Sequence, residues 1–294
     1  TGSVSVISSE TTDRRSAKNI GNSIIGQGNG LISLQSSGRY ADVNPTFYIR
    51  GLQTLNGKNS PLVMIDGIQR DIVSIAPEEV ESVIVLKDAA AVALYGYKGI
   101  NGAINIVTKR GKYNTRSVKV TYDHLFTSLA NKPKFVDAYT YGLAVNEARI
   151  NDGMTGRYSN QELNALRDGT MPYLYPNVNW VDETFRDNAM TNKYNIEFRG
   201  GGEKFRYYTM LDLISNKGFV KEPGANEGYS TQDKYVKGNL RMNMDIDLTK
   251  TTDLQVNLLG VLQETSRPGA QADLWDLVYT VPSAAFPIRD KNGV

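Results

Sequence analysis

The sequence contains no cysteine and a single histidine. Without cysteine the chain forms no disulfide, no zinc site with thiolate ligands and no thiol nucleophile. The lone histidine, His124, builds neither a metal site nor a Ser-His-Asp arrangement in a plausible sequence context. We therefore predict no catalytic residues, no metal site and no cofactor, and we expect that the protein is not an enzyme.

Excess charge of one sign and long apolar runs are also missing. The formal net charge is +2 over 294 residues, so no strong field points to nucleic acid as a partner. No stretch reaches the roughly 18 apolar residues of a membrane-spanning helix. That absence leaves open a membrane β-barrel, whose segments are short and alternate. With 40% hydrophobic and 22% charged residues, the composition is typical of a folded chain.

The first third of the chain has the pattern of a mixed α and β domain. APEEVESV predicts a short helix with Pro77 at its first position. Asp88 is expected to cap a helix over AAAVALY that ends at Gly96, and Gly96, Gly99 and Gly102 are expected to allow tight turns at positive φ. Short apolar runs predict strands in VSVIS, LISLQS, TFYIRG, PLVMIDG, VIVL and AINIVTK. Strands with short helices between them indicate a compact α/β domain.

After Gly111 the pattern changes to long strands with a strict period of two. In the stretch YVKGNLRMNMDIDLTK, apolar residues alternate with charged and amide residues. About five such strands are predicted. The turns GGGE and TKTT are tight, whereas the connections at about 129–190, at 218–233 and from 265 onward are long. Helices are predicted in DAYTYGLAVNEARIN and NQELNALRDG, within the first of the long connections.

Two architectures explain this alternation. One is a water-soluble antiparallel sheet with one wet face; the other is a membrane barrel with lipid outside and a polar lumen inside. Short turns at one end and long loops at the other favour the barrel, with the long loops extracellular. Five strands do not close a barrel around a domain of about a hundred residues, and an unpaired edge in lipid costs several kcal/mol per backbone group. We therefore expect the chain to be part of a longer protein.

The first third of the chain also resembles a known family. The segments TGSVSVIS, IIGQGNGLISLQSSG, FYIRG, PLVMIDGI, EEVESVIVLKDAAAVALYG and GINGAINIVTKRGK occur in the order found in the plug domain of SusC/RagA family TonB-dependent outer-membrane transporters. The resemblance implies a TonB-dependent receptor plug domain over residues 1–113. It implies the N-terminal part of the β-barrel over 114–294. The expected fold is an α+β plug domain followed by antiparallel transmembrane β-barrel strands, part of a barrel of about 22 strands.

The family resemblance also implies a function and partners. It implies TonB-dependent active uptake of oligosaccharides or peptides across the bacterial outer membrane, with the plug acting as the gate. A SusD-like surface lipoprotein is expected to form a lid over the barrel. The TonB complex is expected to act through a segment N-terminal to this chain, and outer-membrane lipid is expected to surround the strands.

Arg50 and Asp66 are candidate latch residues, because each ends a predicted strand and precedes a glycine. Ordinary ion pairing or turn capping is the simpler explanation. The functional hypothesis is that they hold the plug to the barrel wall or to its own sheet, so that breaking the latch opens the path.

Tyr173, Tyr175 and Trp180 are candidate contacts for the substrate or for the lid partner. They lie in MPYLYPNVNWVD, within the long connection predicted to be extracellular. Sugar rings present apolar C–H faces, for which exposed aromatic side chains are natural platforms. Packing within the loop or an interfacial aromatic girdle is the alternative, and it is strongest for Trp180.

Two other functional classes remain as alternatives. One is an enzyme with an α/β nucleotide domain, but GYKGING lacks the G-x-G-x-x-G form and RGKY lacks the features of a P-loop. The other is a soluble β-rich glycan-binding module without transport activity. Such a module would need no detergent, whereas a membrane barrel would.

Overall fold

The computed structural model describes residues 4–13, 17–35, 44–51, 59–129, 132, 134–221, 232–267 and 271–291. The chain divides into two units. The first comprises Thr1–Leu125, Met190–Gly218 and Lys234–Thr265, and the second comprises Phe126–Ala189, Phe219–Asp233 and Ser266–Val294. The first unit therefore contains residues from both sides of the predicted domain boundary at residue 113.

The part of the first unit before Gly111, here called the plug segment, is built on a mixed five-stranded sheet. Its strands in sheet order are β1 (Val4–Ser8), β6 (Val80–Leu86), β7 (Ala103–Thr108), β4 (Leu62–Ile65) and β5 (Ile68–Gln69). The pairing of β4 with β7 is parallel and the other pairings are antiparallel. The six strands predicted from the short apolar runs are present here and in the small sheet described next.

A two-stranded antiparallel sheet and short helices complete the plug segment. The sheet pairs β2 (Leu31–Leu34) with β3 (Thr46–Ile49). The helices are α1 (Ser9–Asp13), α2 (Ile20–Ser23) and α3 (Asp88–Tyr95). The core lies between the sheet and these elements, and its fully buried members are Ile20, Ile24, Ile75, Val80, Val83, Val85, Ile104 and Ile106.

Three details of the predicted helices and turns differ in the structure. The APEEVESV helix is a single 3₁₀ turn, Pro77–Glu79, because β6 begins at the next residue. Helix α3 begins at Asp88 itself, and Lys87 holds the cap position without a side-chain hydrogen bond. Gly96 and Gly102 have positive φ, but at Gly99 the constraint is space, since a Cβ there would lie 2.5 Å from the Ala91 carbonyl oxygen.

The rest of the first unit is a five-stranded meander, here called the wall sheet. Its strands run β8 (Arg116–Ser128), β9 (Asn188–Gly201), β10 (Phe205–Lys217), β11 (Lys234–Thr249) and β12 (Thr252–Ser266), each next to its neighbour in sequence. The tight turns GGGE and TKTT join β9 to β10 and β11 to β12. The predicted number of strands and the predicted alternation are confirmed.

The two faces of the wall sheet are inverted relative to a soluble protein. On β9 the polar residues Lys193, Asn195 and Glu197 are buried, whereas Tyr194 and Phe198 are 48% and 45% exposed. On β11 the same alternation buries Lys237, Asn239, Arg241, Asn243 and Asp245. The plug segment covers the polar face of β9 and β11, so on these strands the apolar face is the one turned away from protein.

The second unit contains four helices among its described residues. These are α4 (Ala138–Asn151), α5 (Asn160–Asp168), α6 (Trp180–Thr184) and α7 (Gln271–Thr280). Helices α4 and α5 are the two that were predicted, and α6 and α7 were not. Among the described residues of the chain, no helix has both the length and the apolar character needed to span a membrane.

Local sequence explains how these helices begin and pack. Ser159 caps α5 and forms a capping box with Glu162, and α5 ends at Gly169 in the left-handed conformation. Helices α6 and α7 share a small core in which Phe185 stacks on Trp275 with ring centroids 4.0 Å apart.

Candidate functional site

The candidate site is the polar interface between the plug segment and the wall sheet. Both lie in the first unit. Alternation along β9 and β11 buries every second side chain, and most of these side chains are charged or amide-bearing. The interface is therefore held by hydrogen bonds and ion pairs.

Asp66 is the point where the plug sheet meets β11. It forms with Gly67 the turn between β4 and β5, at φ 48° and φ 82°, and Asp-Gly is a sequence that favours such a turn. The carboxylate accepts hydrogen bonds from the Thr108 backbone N–H at 2.9 Å and from its hydroxyl at 2.6 Å. Arg241 Nη2 donates to the Asp66 Oδ2 atom. Asp66 is thus tied both to its own sheet and to the wall.

Arg241 also lies beside Glu79, which is fully buried. Arg241 Nε is 3.6 Å from Glu79 Oε2, and the Ala76 N–H donates to Glu79 Oε1 at 2.7 Å. Burial raises the pKa of Glu79 to about 7, although the Ala76 hydrogen bond and the charges of Arg241 and Lys237 act in the opposite direction. Glu79 therefore ionises near neutral pH at the interface between plug segment and wall.

A second buried ion pair joins β9 to the 3₁₀ turn. Lys193 Nζ lies 2.6 Å from Glu78 Oε1, and it also donates to the Ala17 carbonyl oxygen at 3.2 Å. Asp212 on β10 is 4.0 Å from the same ammonium group. The Tyr208 hydroxyl, fully buried, donates to the Glu78 carbonyl oxygen at 3.2 Å. The turn that follows Ala76 is therefore bound by two wall strands.

Strand β11 makes further hydrogen bonds to the plug backbone. Lys237 Nζ donates to the Val73 carbonyl oxygen at 2.7 Å, and Asn239 Nδ2 donates to the Ser74 carbonyl oxygen at 2.8 Å. Asn243 Nδ2 donates to the Lys109 carbonyl oxygen at 2.8 Å. The acceptors are backbone carbonyl groups, so these hydrogen bonds form only while the backbone of the plug segment keeps its position against β11.

The segment that joins the plug segment to β8 is packed against the turn between β9 and β10. Arg110 pairs with Asp245, which also accepts from Arg206 Nε at 2.7 Å. A Cβ on Gly111 would lie 2.6 Å from the Gly200 carbonyl oxygen and closer still to the Tyr207 backbone nitrogen. Glycine is required here because backbone atoms of the hairpin occupy the space of a side chain.

Arg50, the other predicted latch residue, lies elsewhere in the plug segment. It follows β3 at φ 59°, its N–H donates to the Gly30 carbonyl oxygen at 2.9 Å, and it is exposed. Arg50 belongs to the end of the two-stranded sheet and Asp66 to the end of β4, so the structure places them in different sheets. A latch role for either residue stays a prediction.

The three predicted aromatic contacts lie in the second unit and differ in exposure. Tyr173 is 58% exposed. The Tyr175 hydroxyl donates to Glu162 Oε1 at 3.2 Å. Trp180 begins α6, its Nε1 donates to the Pro282 carbonyl oxygen at 3.2 Å, and its ring lies 4.6 Å from that of Phe286. Tyr173 is thus the most accessible of the three, and their contact role stays a prediction.

Sequence reasoning did not single out the wall residues Lys193, Lys237 and Arg241. The signal was present, because each stands at an alternate position of a strand whose other face is apolar. What the pattern does not reveal is the plug atom opposite each one, since those partners are more than a hundred residues away in the chain. Within the described residues, no cluster of three or more His, Asp or Glu side chains is suited to a metal ion.

Comparison with known proteins agrees with this architecture. Residues 1–103 match the family TonB-dependent Receptor Plug Domain. TonB-dependent receptor P26 of Formosa agariphila is 26% identical over 304 residues, covering 100% of this chain and 28% of that protein. TonB-dependent receptor SusC of Bacteroides thetaiotaomicron is 31% identical over 185 residues, covering 59% of this chain and 17% of SusC.

A solved structure shows the same fold. The RagAB peptide importer in its "open-open" state superimposes with a TM-score of 0.76 at 22% identity, over 100% of this chain and 34% of that chain. The chain thus carries a TonB-dependent receptor plug followed by antiparallel strands of the receptor barrel. Among these receptors it is similar in sequence to SusC and in fold to the RagAB importer. It spans less than a third of the length of the curated relatives it matches.

Proposed function

We propose that this chain is the gate and the adjoining wall of a transporter that takes up oligosaccharides or peptides across the bacterial outer membrane. The observation that carries the proposal is the inverted wall sheet. On β9 and β11 its polar face is buried on the plug segment, whereas large apolar side chains such as Leu211 and Leu240 are each about half exposed. Such a sheet suits a barrel with lipid outside and a plugged polar lumen.

The same observation argues against a soluble glycan-binding module. A soluble sheet buries its apolar face and exposes its polar face, the opposite of what β9 and β11 do. An exposed apolar surface of this kind marks a site for contact with lipid or with other protein. Localisation in the outer membrane is therefore part of the proposal.

Transport of this kind needs binding and movement rather than bond chemistry. Substrate binds from outside, a SusD-like lipoprotein closes over the barrel, and the TonB complex pulls the plug so that a path opens. Asp66 acts in this proposal as a latch, because its carboxylate joins the plug sheet to Arg241 of the wall. Tyr173 is the proposed contact for substrate or lid, because its ring is accessible in the second unit.

The experiment is a deletion in the source bacterium. Wild type, deletion and complemented strains receive a defined oligosaccharide pool or a tryptic peptide pool, and depletion of each component is followed by mass spectrometry. We expect loss of uptake of one solute class in the deletion strain, recovery on complementation, and the same loss when a protonophore collapses the proton gradient. Equal depletion of every component by all three strains would contradict the proposal.

A further inference from the structure

Two lysines lie directly opposite each other on the exposed face of the wall sheet. Lys217, the last residue of β10, pairs in register with Lys234, the first residue of β11. Strand alternation places them on the same face as Leu213 and Leu240, each about half exposed. Both lysines are exposed as well. The lysine pair therefore lies where the apolar face ends and the long connection at 218–233 begins.

The charge of this lysine pair is poorly compensated. Across the part of the chain that the structure describes, no carboxylate forms an ion pair with Lys217. Lys234 Nζ lies 3.9 Å from Glu264 Oε1, but the Glu264 side chain is 71% exposed, so solvent screens that pair. Like charges directly opposite each other on paired strands repel. An anion that contacts both ammonium groups would remove this repulsion.

Neighbouring side chains on the same face add hydrogen-bond donors. Ser215 on β10 pairs in register with Asn192 on β9. Asn192 Oδ1 accepts a hydrogen bond from the Tyr122 hydroxyl at 3.0 Å and lies 2.6 Å from His124 Nδ1. Because the amide oxygen is used on the side of β8, the amide nitrogen remains as a donor beside Ser215. Hydroxyl and amide donors next to two ammonium groups are the chemistry that binds a phosphate group.

Aromatic rings on this face indicate the level of the boundary between lipid and water. Tyr122 and Tyr194 stack with their ring centroids 4.9 Å apart, and both are about half exposed. Tyrosine side chains of membrane proteins are enriched at the level of the lipid headgroups. Tyr194 lies opposite Leu213 in register, so Lys217 is four residues farther along β10, toward water. The lysine pair is thus expected within reach of lipid headgroups.

The exposed face also has a notch at Gly238. This residue lies on the face between Val236 and Leu240, opposite Leu213 on β10. A Cβ at Gly238 would meet only Leu213 Cδ1, at 3.6 Å, among the described residues, so their side chains leave the space above the glycine open. The notch lies about 13 Å from Lys234, because that is the length of four strand residues. Its apolar lining suits an acyl chain attached to a phosphate headgroup.

We propose that Lys217 and Lys234 bind the phosphate group of a membrane lipid and that the notch at Gly238 holds the first part of one of its acyl chains. The inference rests on the proposed function, because that function places the apolar face of the wall sheet in a membrane. A lipid fits both the lysine pair and the notch, whereas a free phosphate ion or an acidic protein segment fits the lysines alone. Bound lipid removes the repulsion between the lysines and so stabilises the ends of β10 and β11.

The test compares lipid binding by variants of the intact protein in a non-ionic detergent. Phosphatidylglycerol is the probe, and bound lipid is counted by native mass spectrometry. Diacylglycerol with the same acyl chains lacks the phosphate, and inorganic phosphate, added as a competitor, lacks the chains. Lys217→Gln with Lys234→Gln removes both charges of the proposed site. Lys204→Gln with Lys250→Gln is the matched control, because these two lysines are also exposed but lie in the short turns.

We expect the change at Lys217 and Lys234 to lower the affinity for phosphatidylglycerol about tenfold or more, and the control change to alter it less than about twofold. Gly238→Val fills the notch and is expected to lower the affinity several-fold. Wild-type affinity without the lysine pair, or an equal loss in the control, would overturn the inference. So would diacylglycerol that binds as tightly as phosphatidylglycerol.

Two further outcomes test the nature of the occupant. Displacement of the lipid by an equal concentration of inorganic phosphate would show a site for the free ion and would overturn the inference. Wild-type affinity of Gly238→Val would overturn the placement of the acyl chain. Lipid binding requires no solute, so a protein that binds lipid as expected but takes up no solute would contradict the transport function alone.

Discussion

Arg241 on β11 and Asp66 at the turn after β4 form an ion pair that joins the wall sheet to the plug segment. Thr108 is part of the same group, because its hydroxyl accepts from Arg241 at 2.8 Å and donates to Asp66 at 2.6 Å. Glu79 Oε2 lies 3.6 Å from Arg241 Nε. One buried cation therefore lies close to two acidic side chains of the plug segment.

Replacing Arg241 by methionine is expected to weaken the plug segment strongly. The substitution leaves the buried Asp66 without its cation and takes from Glu79 one of the two cations that act on it. Removal of one partner from a buried pair costs about 3–5 kcal/mol. The measurement is pulse proteolysis of the plug segment in urea. Arg167→Met serves as the control, because its pair with Asp168 is exposed and is expected to change stability by less than about 1 kcal/mol. Equal effects of the two variants would show that the buried pair of Arg241 with Asp66 does not hold the plug segment.

Asp66→Asn is expected to show how much the charge of Asp66 contributes to stability, apart from the contribution of its turn conformation. Asparagine tolerates the left-handed backbone that Asp66 adopts at φ 48°, so the hairpin between β4 and β5 is retained while the ion pair with Arg241 is lost. Asp66→Val loses both, because a β-branched residue is strained at positive φ. We expect Asp66→Val to be less stable than Asp66→Asn by about 1 kcal/mol or more, measured by the same proteolysis. Identical urea midpoints for the two variants would show that valine is not strained in the turn conformation of residue 66.

Glu79 predicts a pH dependence of plug stability with a definite sign. Its pKa is about 7 in the fold and 4.5 as the ordinary value, so the folded state retains the proton between these limits while the unfolded state loses it. Stability from this group is therefore greatest below pH 4.5, falls as the pH rises to about 7, and is constant above. Over this window the change amounts to about 3 kcal/mol at most.

Glu79→Gln is the variant that checks this sign. The amide oxygen retains the hydrogen bond from the Ala76 N–H but does not ionise, so the decline between pH 4.5 and 7 is expected to flatten. Urea midpoints at pH 5, 6, 7 and 8 provide the measurement. A variant whose midpoints decline as steeply as those of the wild type would assign the pH dependence to another group.

Gly111→Ala is expected to disrupt the segment between the plug and β8. Its Cβ would meet backbone atoms of Gly200 and Tyr207, which do not rotate away as a side chain would. Gly260→Ala is the matched control, because a Cβ there meets only the Leu240 Cβ at 3.8 Å. We expect at least about 2 kcal/mol of destabilisation for the first and less than about 1 kcal/mol for the second, from urea midpoints. If Gly111→Ala has the urea midpoint of the wild type, the end of the hairpin between β9 and β10 must move to make room for the Cβ.

The wall strands could be predicted from the sequence, whereas the contacts between the plug segment and the wall sheet could not. The alternation of Lys237, Asn239 and Arg241 with apolar neighbours predicts the strand and its two faces, because a strand has a period of two. The same pattern contains no information about Val73, Ser74 or Asp66, the partners of these three side chains. Partners so distant in sequence are fixed by tertiary packing, which local patterns do not encode.

The short helices show a second limit. The predicted helix after Ala76 is one 3₁₀ turn, because Val80 is already paired in β6 and is fully buried in the plug core. Propensity favoured a helix there, and strand pairing outweighed it. Helix α7 was missed for a related reason, since Trp275 and Val278 are held by packing on α6 rather than by a capping signal.

Replacing Trp180 is expected to lower the stability of the second unit, whereas replacing Tyr173 is not. Trp180 packs on Phe286 and donates to the Pro282 carbonyl oxygen, so Trp180→Ala is expected to destabilise this unit by about 3 kcal/mol. Tyr173 is mostly exposed, so Tyr173→Ala is expected to stay within about 0.5 kcal/mol of the wild type. Thermal unfolding followed by Trp275 fluorescence provides the measurement.

Uptake then decides the role of Tyr173. If its ring contacts solute or the lid partner, Tyr173→Ala lowers uptake several-fold at unchanged stability and unchanged protein level, and Tyr173→Phe, which retains the ring, recovers most of it. The outcome for Trp180→Ala is expected to follow its stability, so that lowering the temperature restores part of the uptake. Wild-type uptake by Tyr173→Ala would show that this exposed ring has no role in recognition, and the contact surface would have to be sought on other residues.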